Sequence, residues 1–266
     1  MAIEVFNRHE CKYLIDSTVF EEISKKLTKY MDIDDYNKIH DLYTISNIYY
    51  DTKDNHLIRT SLSKPYYKEK LRIRGYGIPK ENEKVYLEIK KKVCDVVNKR
   101  RTKISLTEAY EFITTGEKPL IKDYMNKQVI NEIHYILKLY DLEPKLYLAY
   151  DRKAFFSKEN KDLRITFDTN IRTRRYDLTL EAGDYGESLL DERKWLMEIK
   201  AEKNIPFWLA TMLSEYKIFK VSFSKYGREY EKLLQNERKL RGEMNLCLNQ
   251  YQQAYSTRLQ LTHQYL

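Results

Sequence analysis

Charged and apolar residues alternate along short segments of this chain. In residues 68–74 every second residue is Lys or Arg, and Leu71 and Ile73 stand between them. Successive side chains of a strand point to opposite faces, so the four cations share one face of a predicted strand. Neighbours on that face lie about 6.6 Å apart, where two cations repel by roughly 2.5 kcal/mol at an effective dielectric of about 20. Such a row is typical of a solvated edge or of a surface that binds a polyanion.

The same alternation recurs elsewhere and predicts a mostly antiparallel sheet. The predicted strands are 6–14, 44–50, 68–74, 84–92, 96–104, 145–155, 163–170 and 195–200. The predicted helices run from Thr18 to about Tyr30, from Ser105, over 121–140, from Pro206 to Tyr216 and from Tyr226 onward. Thr18 and Ser105 each precede a glutamate by three residues, as in a capping box that begins a helix. Because strands and helices follow in mixed order, the predicted fold class is α+β.

Acid and base recur in one order on three predicted strands: Glu10-x-Lys12, Glu88-x-Lys90 and Glu198-x-Lys200. A single such strand is explained by a polar side that faces water, but a solvated face has no reason to repeat the order. A closed antiparallel barrel with a charged interior explains the repeated order, because inward Lys and Arg bind phosphates and inward carboxylates hold a divalent metal. The apolar faces would then point outward, beneath the helices.

Composition narrows the class of protein. The 266 residues include 48 Lys and Arg against 40 Asp and Glu, a net charge of +8 that favours acidic partners. There is no apolar run of 18 residues, and Cys11, Cys94 and Cys247 fit no zinc or disulfide spacing. We therefore expect a soluble, cytoplasmic protein without a transmembrane segment. The sequence also has no Walker A or kinase signature. Phosphoryl transfer remains compatible with this sequence, because its catalysis depends mainly on positioning and charge stabilisation.

Ordered motifs over about residues 4–230 resemble the VTC (vacuolar transporter chaperone) catalytic domain. They are Arg8-His9-Glu10-Cys11-Lys12-Tyr13, Tyr49-Tyr50-Asp51-Thr52, Lys68-x-Lys70-x-Arg72-x-Arg74-x-Tyr76, Tyr86-Leu87-Glu88-Ile89-Lys90, Lys99-Arg100-Arg101, Tyr150-Asp151-Arg152, Leu163-Arg164, Met197-Glu198-Ile199-Lys200 and Phe223-Ser224-Lys225-Tyr226. The resemblance implies the triphosphate tunnel fold, an antiparallel barrel with a basic bore. It also implies synthesis of inorganic polyphosphate from ATP with a divalent metal, Mn²⁺ or Mg²⁺.

The resemblance also implies the residues of the site. The family's phosphate-binding cations fall on Lys12, Arg72, Arg74, Lys90, Lys99, Arg164 and Lys225, and its metal carboxylate falls on Glu198. Of these, the expected catalytic residues are Arg72, Arg74, Lys90, Arg164 and Glu198. Strand alternation adds Lys70, Arg101 and Lys200 to the same faces. Glu88 and Glu10 are weaker metal candidates, because either could instead neutralise neighbouring lysines, and Asp168 is a further candidate of this kind.

One departure bears on the activity. Tunnel triphosphatases begin with Glu-x-Glu-x-Lys, whereas this chain has Arg8-x-Glu10-x-Lys12, which favours handling of a long polyanion over two-metal hydrolysis. The expected partners are therefore ATP and polyphosphate, without nucleic acid. Two alternatives remain open: a triphosphatase or polyphosphatase that uses water, and a non-catalytic module that binds polyphosphate or RNA.

The predicted domains are a catalytic domain over residues 1–232 and a C-terminal helical extension over residues 233–266. Apolar residues recur at helical spacing between Tyr230 and Tyr251. This stripe is expected either to cover the barrel or to bind a partner helix.

Overall fold

The computed structural model describes residues 9–94, 96–160, 162–202 and 204–242. Two compact units are recognised, residues 1–226 and 227–266. In the second unit, residues 227–242 are helical, and Arg228 and Glu231 form an ion pair at 3.5 Å one turn apart. The remainder of the predicted extension, residues 243–266, lies outside the described residues, and so does the part of the apolar stripe that follows residue 242. No helix in the described part of the chain is long and apolar enough to cross a membrane.

The first unit is built on one antiparallel sheet. Its strands are β1 (His9–Asp16), β2 (Met31–Ile33), β3 (Tyr43–Asp51), β4 (Tyr67–Tyr76), β5 (Lys84–Val93), β6 (Val96–Ser105), β7 (Glu143–Ser157), β8 (Arg164–Arg174), β9 (Glu187–Ser188) and β10 (Lys194–Ala201). The main path follows the order β1-β10-β8-β7-β3-β4-β5-β6, while β2 pairs with β7 and β9 with β8. The expected α+β class with an antiparallel sheet is confirmed.

A closed barrel does not follow from the strand ladder. Among the described residues, β1 and β6 are the two ends of the strand path, and no backbone pairing joins them. The sheet is therefore open in its hydrogen bonding. Its curvature is shown instead by the side chains described in the next subsection.

The helices of the described residues are α1 (Ser17–Leu27), α2 (Asp35–Ile39), α3 (His56–Leu62), α4 (Leu106–Thr115) and α5 (Lys127–Leu139), which lie between strands, and α6 (Phe207–Glu215), which follows β10. A further helix covers residues 225–242. The capping box at Ser105 is confirmed, since its Oγ accepts from the backbone N–H of Glu108. The short helices α2 and α3 were not predicted.

Two predicted helix starts are wrong, and both are set by contacts distant in sequence. Thr18 does not cap α1, because β1 continues its pairing with β10 as far as Asp16 and α1 begins directly at Ser17. The helix expected from residue 121 begins only at Lys127. There Asn126 accepts from the N–H of Val129, while its own N–H donates to Thr102 of β6.

The apolar face of the sheet lies outward, against the helices. On β3 to β6 it packs with α4 and α5 in one cluster, which includes Ile73, Leu87 and Phe112. On β1, β10 and β8 it packs with α1 and α6 in a second cluster, which includes Phe167 and Met197. Burying each such side chain contributes about 1.5–3 kcal/mol. The charged face of the sheet is consequently the inner one.

Candidate functional site

One side of the charged face is formed by β4, β5 and β6. The side chains that share it are Lys70, Arg72, Arg74, Glu88, Lys90, Lys99 and Arg101. In the antiparallel register Arg72 lies opposite Glu88, and Lys70 lies opposite Lys90. Because strand alternation holds without a register shift across these three strands, the sequence pattern placed all seven residues on the correct face.

Glu88 is the carboxylate at the centre of this side. Its side chain is 1% exposed and accepts hydrogen bonds from Arg72 Nε and Lys99 Nζ, each at 2.8 Å. Arg74 Nε lies 3.6 Å away. Burial opposes ionisation of Glu88, but the charges of Arg74, Lys99 and Arg72 outweigh it and hold its pKa well below the usual range. Glu88 is therefore an anion already surrounded by three cations.

Aromatic and amide groups of β3 and β7 orient the two arginines. Arg72 Nη1 donates to Tyr49 Oη at 2.7 Å, and Arg74 Nε donates to Asn47 Oδ1 at 3.1 Å. Arg74 Nη2 also lies 3.4 Å from the hydroxyl of Tyr150. The two guanidinium groups thus have partners on the neighbouring strands β3 and β5 and on the more distant β7. These contacts hold them in fixed orientations before any anion binds.

The other side of the charged face is formed by β1, β10 and β8. The side chains on it are Glu10, Lys12, Arg164, Thr166, Asp168, Glu198 and Lys200. The register places Lys12 opposite Glu198 and Glu198 opposite Thr166. The structure thus brings the predicted metal carboxylates Glu10 and Glu198 onto neighbouring strands.

Glu198 is buried among cations. Its Oε1 contacts Lys200 Nζ, and its Oε2 lies 3.8 Å from Lys12 Nζ. Lys12 also pairs with Glu10 at 3.1 Å. Burial raises the pKa of Glu198, but Lys200 and Lys12 overcome this and keep it well below the usual range. The hydroxyl of Thr166, on the same face, is buried with no hydrogen-bond partner in the described part of the chain.

Asp168 forms a third ionic centre. It accepts a two-point hydrogen bond from Arg152 at 2.6 and 2.8 Å and a further bond from Lys225 at 2.5 Å. Burial works against its charge, yet Arg152 and Lys225 lower its pKa to about 2. Arg152 was not among the predicted site residues. On β7 its inner-face neighbours include Leu146 and Leu148, so polarity alone does not reveal which face is inward.

The two sides of the charged face act on each other. Burial raises the pKa of Glu10 on β1, but the charges of Lys90 on β5 and of Lys200 and Lys12 outweigh it and lower that pKa. Burial lowers the pKa of Lys90, and the charge of Glu10 opposes this only in part. Lys70 of β4 is likewise affected by the charge of Lys12 on β1. These strands stand near opposite ends of the strand path. Lys12 Nζ also donates to the carbonyl of Phe223 at 2.9 Å, and Lys70 Nζ donates to the next residue, Ser224, at 3.3 Å. The sheet therefore curves enough to bring the inner side chains of β4 near those of β1.

Three inner cations have no carboxylate within ion-pair distance among the residues the structure describes: Lys70, Lys90 and Arg101. Lys70 donates only a long hydrogen bond of 3.3 Å to Ser224 Oγ, and Arg101 lies over the ring of Tyr86 at 4.4 Å. Burial, followed by the charges of Lys90, Lys68 and Lys12, lowers the pKa of Lys70 to about 7. Burial also lowers the pKa of Lys90. This interior is short of negative charge.

Residues 221–226, which lead into and begin the last helix, lie along this interior. The carbonyl of Phe223 accepts from Lys12 Nζ at 2.9 Å, and the N–H of Val221 donates to the carbonyl of Lys12 at 2.8 Å. The hydroxyl of Tyr226 donates to the buried Asp51 at 3.1 Å. Of this segment, sequence reasoning singled out Lys225 alone as a site residue, because the other contacts involve backbone or neutral groups.

Arg100 departs from the cationic cluster around it. It lies on the outer face of β6 and pairs with Glu132 of α5 at 2.6 Å. The run from Lys99 to Arg101 is therefore split between the two faces, as strand geometry requires. The structure brings every predicted site residue to the charged interior, while the roles assigned to them stay predictions.

Comparison with known proteins places these features in a family. The family model of the VTC domain matches residues 7–234. No protein with a curated description matches the sequence. Among solved structures, a protein from Bacillus halodurans, provisionally described as an adenylate cyclase, is similar with a TM-score of 0.51 and 15% identity. That match covers 84% of this chain and 96% of the other. A protein from Hippeastrum, provisionally described as an adenylyl cyclase with a dominant triphosphatase activity, aligns with a TM-score of 0.49 and 17% identity. This second match covers 84% of this chain and 93% of the other.

Proposed function

The chain belongs to the VTC domain family, and on this premise we propose that it is a polyphosphate polymerase. In this proposal it transfers the γ-phosphate of ATP onto the end of a growing inorganic polyphosphate chain, with the help of a divalent metal. We assign the reaction to the cytoplasm, where ATP is made available to the protein without crossing a membrane.

The observation that carries the proposal is the shortage of negative charge on an inner face to which several strands contribute. Lys70, Lys90 and Arg101 have no carboxylate partner within the described residues, although each is on the inner face. A buried cation without a partner is unfavourable, and an anion that brings several negative charges relieves several such cations at once. A phosphate chain has this chemistry, since its charges recur along its length.

The chemistry of the transfer suits these residues. A terminal oxygen of the polyphosphate chain attacks the γ-phosphorus, a new P–O–P link forms, and the bond to the β-phosphate breaks to release ADP. The attacking phosphate is already anionic near neutral pH, so no general base is needed. The barrier is the approach of two polyanions, which fixed groups such as Arg72, Arg74, Lys90 and Arg164 lower by stabilising charge.

The residues present fit a divalent cation. Glu198 and Glu10 lie on adjacent strands, and the buried hydroxyl of Thr166 on the next strand has no partner in the described part of the chain. Mn²⁺ and Mg²⁺ take oxygen ligands and commonly use one or two carboxylates, with the rest from phosphate and water. We assign Glu198 and Glu10 as the carboxylates that hold the metal, which would neutralise phosphate charge. Glu88 is a poorer candidate, because both of its oxygens accept hydrogen bonds at 2.8 Å, from Arg72 and Lys99. In Glu198 and Glu10, by contrast, one oxygen, Oε2, is 3.8 Å from the lysine it pairs with.

The activity is tested with purified protein, ATP and Mn²⁺. We expect long chains that stain as polyphosphate on gels, with one ADP formed per phosphate added. Arg72→Ala should reduce synthesis by about a hundredfold or more, in the range that removal of one transition-state charge contact causes. Arg100→Ala is the matched control, since Arg100 lies on the outer face, and it should retain synthesis.

Glu198→Ala separates the role of the metal from that of the cations. It should abolish synthesis and also weaken Mn²⁺ binding to the protein–tripolyphosphate complex, measured by electron paramagnetic resonance. Release of inorganic phosphate without polymer would identify a triphosphatase or polyphosphatase. Tight polyphosphate or RNA binding without nucleotide turnover would identify a binding module, and either result overturns the proposal.

A further inference from the structure

Four tyrosines cluster at one end of the charged interior. Tyr43, Tyr76 and Tyr86 occupy inner-face positions of β3, β4 and β5, and Tyr36 reaches them from α2. Ring centroids are 5.6 Å apart for Tyr36 and Tyr43, 6.0 Å for Tyr36 and Tyr76, and 6.0 Å for Tyr76 and Tyr86. We call these four residues the tyrosine cluster.

The cluster is continuous with the phosphate-binding cations. Tyr76 follows Arg74 by two residues and Arg72 by four on the same face of β4, which corresponds to about 6.6 and 13 Å along the strand. Arg101 lies over the ring of Tyr86, with its guanidinium carbon 4.4 Å from the centroid. A phosphate group bound at Arg72 and Arg74 is thus separated from the tyrosines by about the length of one small ring.

Two observations at this end of the interior indicate that it can bind a ligand. Tyr36 is 60% exposed and Tyr76 is 41% exposed, although both contact other aromatic rings. The guanidinium of Arg164 lies over Phe156, and its Nη2 is 3.8 Å from the carboxylate of Asp34, which also accepts from the backbone N–H of Tyr36. The Nε of Arg164 is buried with no hydrogen-bond partner within the described residues. A ligand that presents an acceptor to Arg164 and a flat apolar surface to the tyrosines satisfies both.

The geometry suits a planar aromatic group. The rings of Tyr36 and Tyr76 are within 10° of parallel, so a planar ring that stacks on one is aligned with the other. Bases stack on aromatic side chains in this way in many nucleic-acid-binding proteins. A nucleoside triphosphate carries a flat ring and several phosphates that are separated by a single ribose, whereas an extended peptide or a lipid does not combine these groups.

We propose that the tyrosine cluster is the base-binding subsite for the nucleoside triphosphate, with Tyr36 and Tyr76 stacking on the base and Arg164 contacting the phosphates nearest the ribose. This inference rests on the proposed use of a nucleoside triphosphate, and it names the end of the interior by which that substrate binds. Because every base presents a π-face, stacking discriminates weakly between bases. Adenosine and guanosine triphosphates should therefore bind with affinities within a few-fold of each other.

Calorimetry with two ligands tests the subsite. One is the non-transferable β,γ-imido analogue of ATP, and the other is inorganic tripolyphosphate, which has no base. Tyr36→Ala combined with Tyr76→Ala should weaken binding of the analogue about tenfold or more and leave tripolyphosphate binding within twofold. Tyr36→Phe with Tyr76→Phe should restore affinity, because phenylalanine keeps the ring. Tyr135→Ala on α5 is the control, since Tyr135 is 61% exposed and lies away from the charged face.

The outcomes separate the subsite from the enzymatic assignment. Equal weakening of both ligands, or no change in either, would overturn the subsite. If the double alanine variant loses affinity for the adenosine analogue but not for the corresponding guanosine analogue, recognition by stacking is overturned. If the wild-type protein binds the analogue through these tyrosines but makes no polymer, the polymerase proposal fails while the subsite stands.

Discussion

Neutralising Glu88 tests the charge balance of the interior most directly. Glu88→Gln keeps the size of the side chain and removes the charge that faces Arg72, Lys99 and Arg74. The pKa of Glu88 lies well below its usual range, so the carboxylate is ionised throughout the neutral pH range and the substitution removes a full charge there. Three buried or half-buried cations are then left without their shared counter-charge.

The size of the effect follows from burial. Breaking a buried ion pair by removing one partner costs about 3–5 kcal/mol. For a protein of this length, each kcal/mol shifts Tm by about 2–4 °C, so we expect Tm to fall by about 6–20 °C. Tripolyphosphate should compensate, because it supplies the missing negative charge. At a hundred times its Kd a ligand adds about 2.7 kcal/mol, and the variant should bind tripolyphosphate more tightly than the wild type.

Thermal unfolding and calorimetry without added metal measure both effects. Glu132→Gln is the matched control, because Glu132 also pairs with an arginine and a lysine but on the outer face, at 24% exposure. Such a partly solvated pair contributes about 0–1 kcal/mol. An unchanged Tm and an unchanged affinity for tripolyphosphate in Glu88→Gln would refute the charge-balance role. Loss of Mn²⁺ binding in the same variant would instead support Glu88 as a metal ligand.

Two further predictions concern groups at the edge of the interior. The pKa of Lys70 is lowered to about 7, and this side chain binds an anion well only when it is protonated. Affinity for tripolyphosphate should therefore fall as pH rises from 6 to 9 in calorimetric titrations, and Lys70→Met should flatten this pH profile. An equally steep profile in Lys70→Met would contradict the prediction. Tyr226→Phe removes a hydrogen bond to buried Asp51 and should lower the free energy of unfolding by about 0.5–1.5 kcal/mol in urea titrations, whereas the exposed Tyr135→Phe should have no measurable effect.

The inner face of the site was predictable from sequence because strand geometry is strictly periodic. Lys70, Arg72 and Arg74 differ in partners, yet a two-residue period places them on one face without knowledge of those partners. The same reasoning separates Arg100 from Arg101. The α+β class followed from the order of such segments, and the outward position of the apolar face followed from the repeated order of acid and base.

Features that depend on contacts between distant segments escaped prediction. Arg152 lies on a strand with apolar residues on both faces, so no polarity pattern marked it as inward. The register shift between Ala149 and Asp151 further interrupts alternation there. The start of α5 is fixed by the hydrogen bond from Asn126 to Thr102, which a local helical pattern does not encode. Closure of the barrel was expected from the repeated order of acid and base and from the resemblance, whereas the described strand path ends at β1 and β6.

The outward position of both apolar clusters has a consequence for how the chain acquires its structure. The two clusters use different helices, and within the described residues β7 is the one strand that contributes to both, so we expect each cluster to assemble largely on its own. Bringing lysines and arginines of β4, β5 and β10 together is the step that mutual repulsion opposes. Dissolved multivalent anions lower the energy of that step, so we expect them to favour folding of this chain.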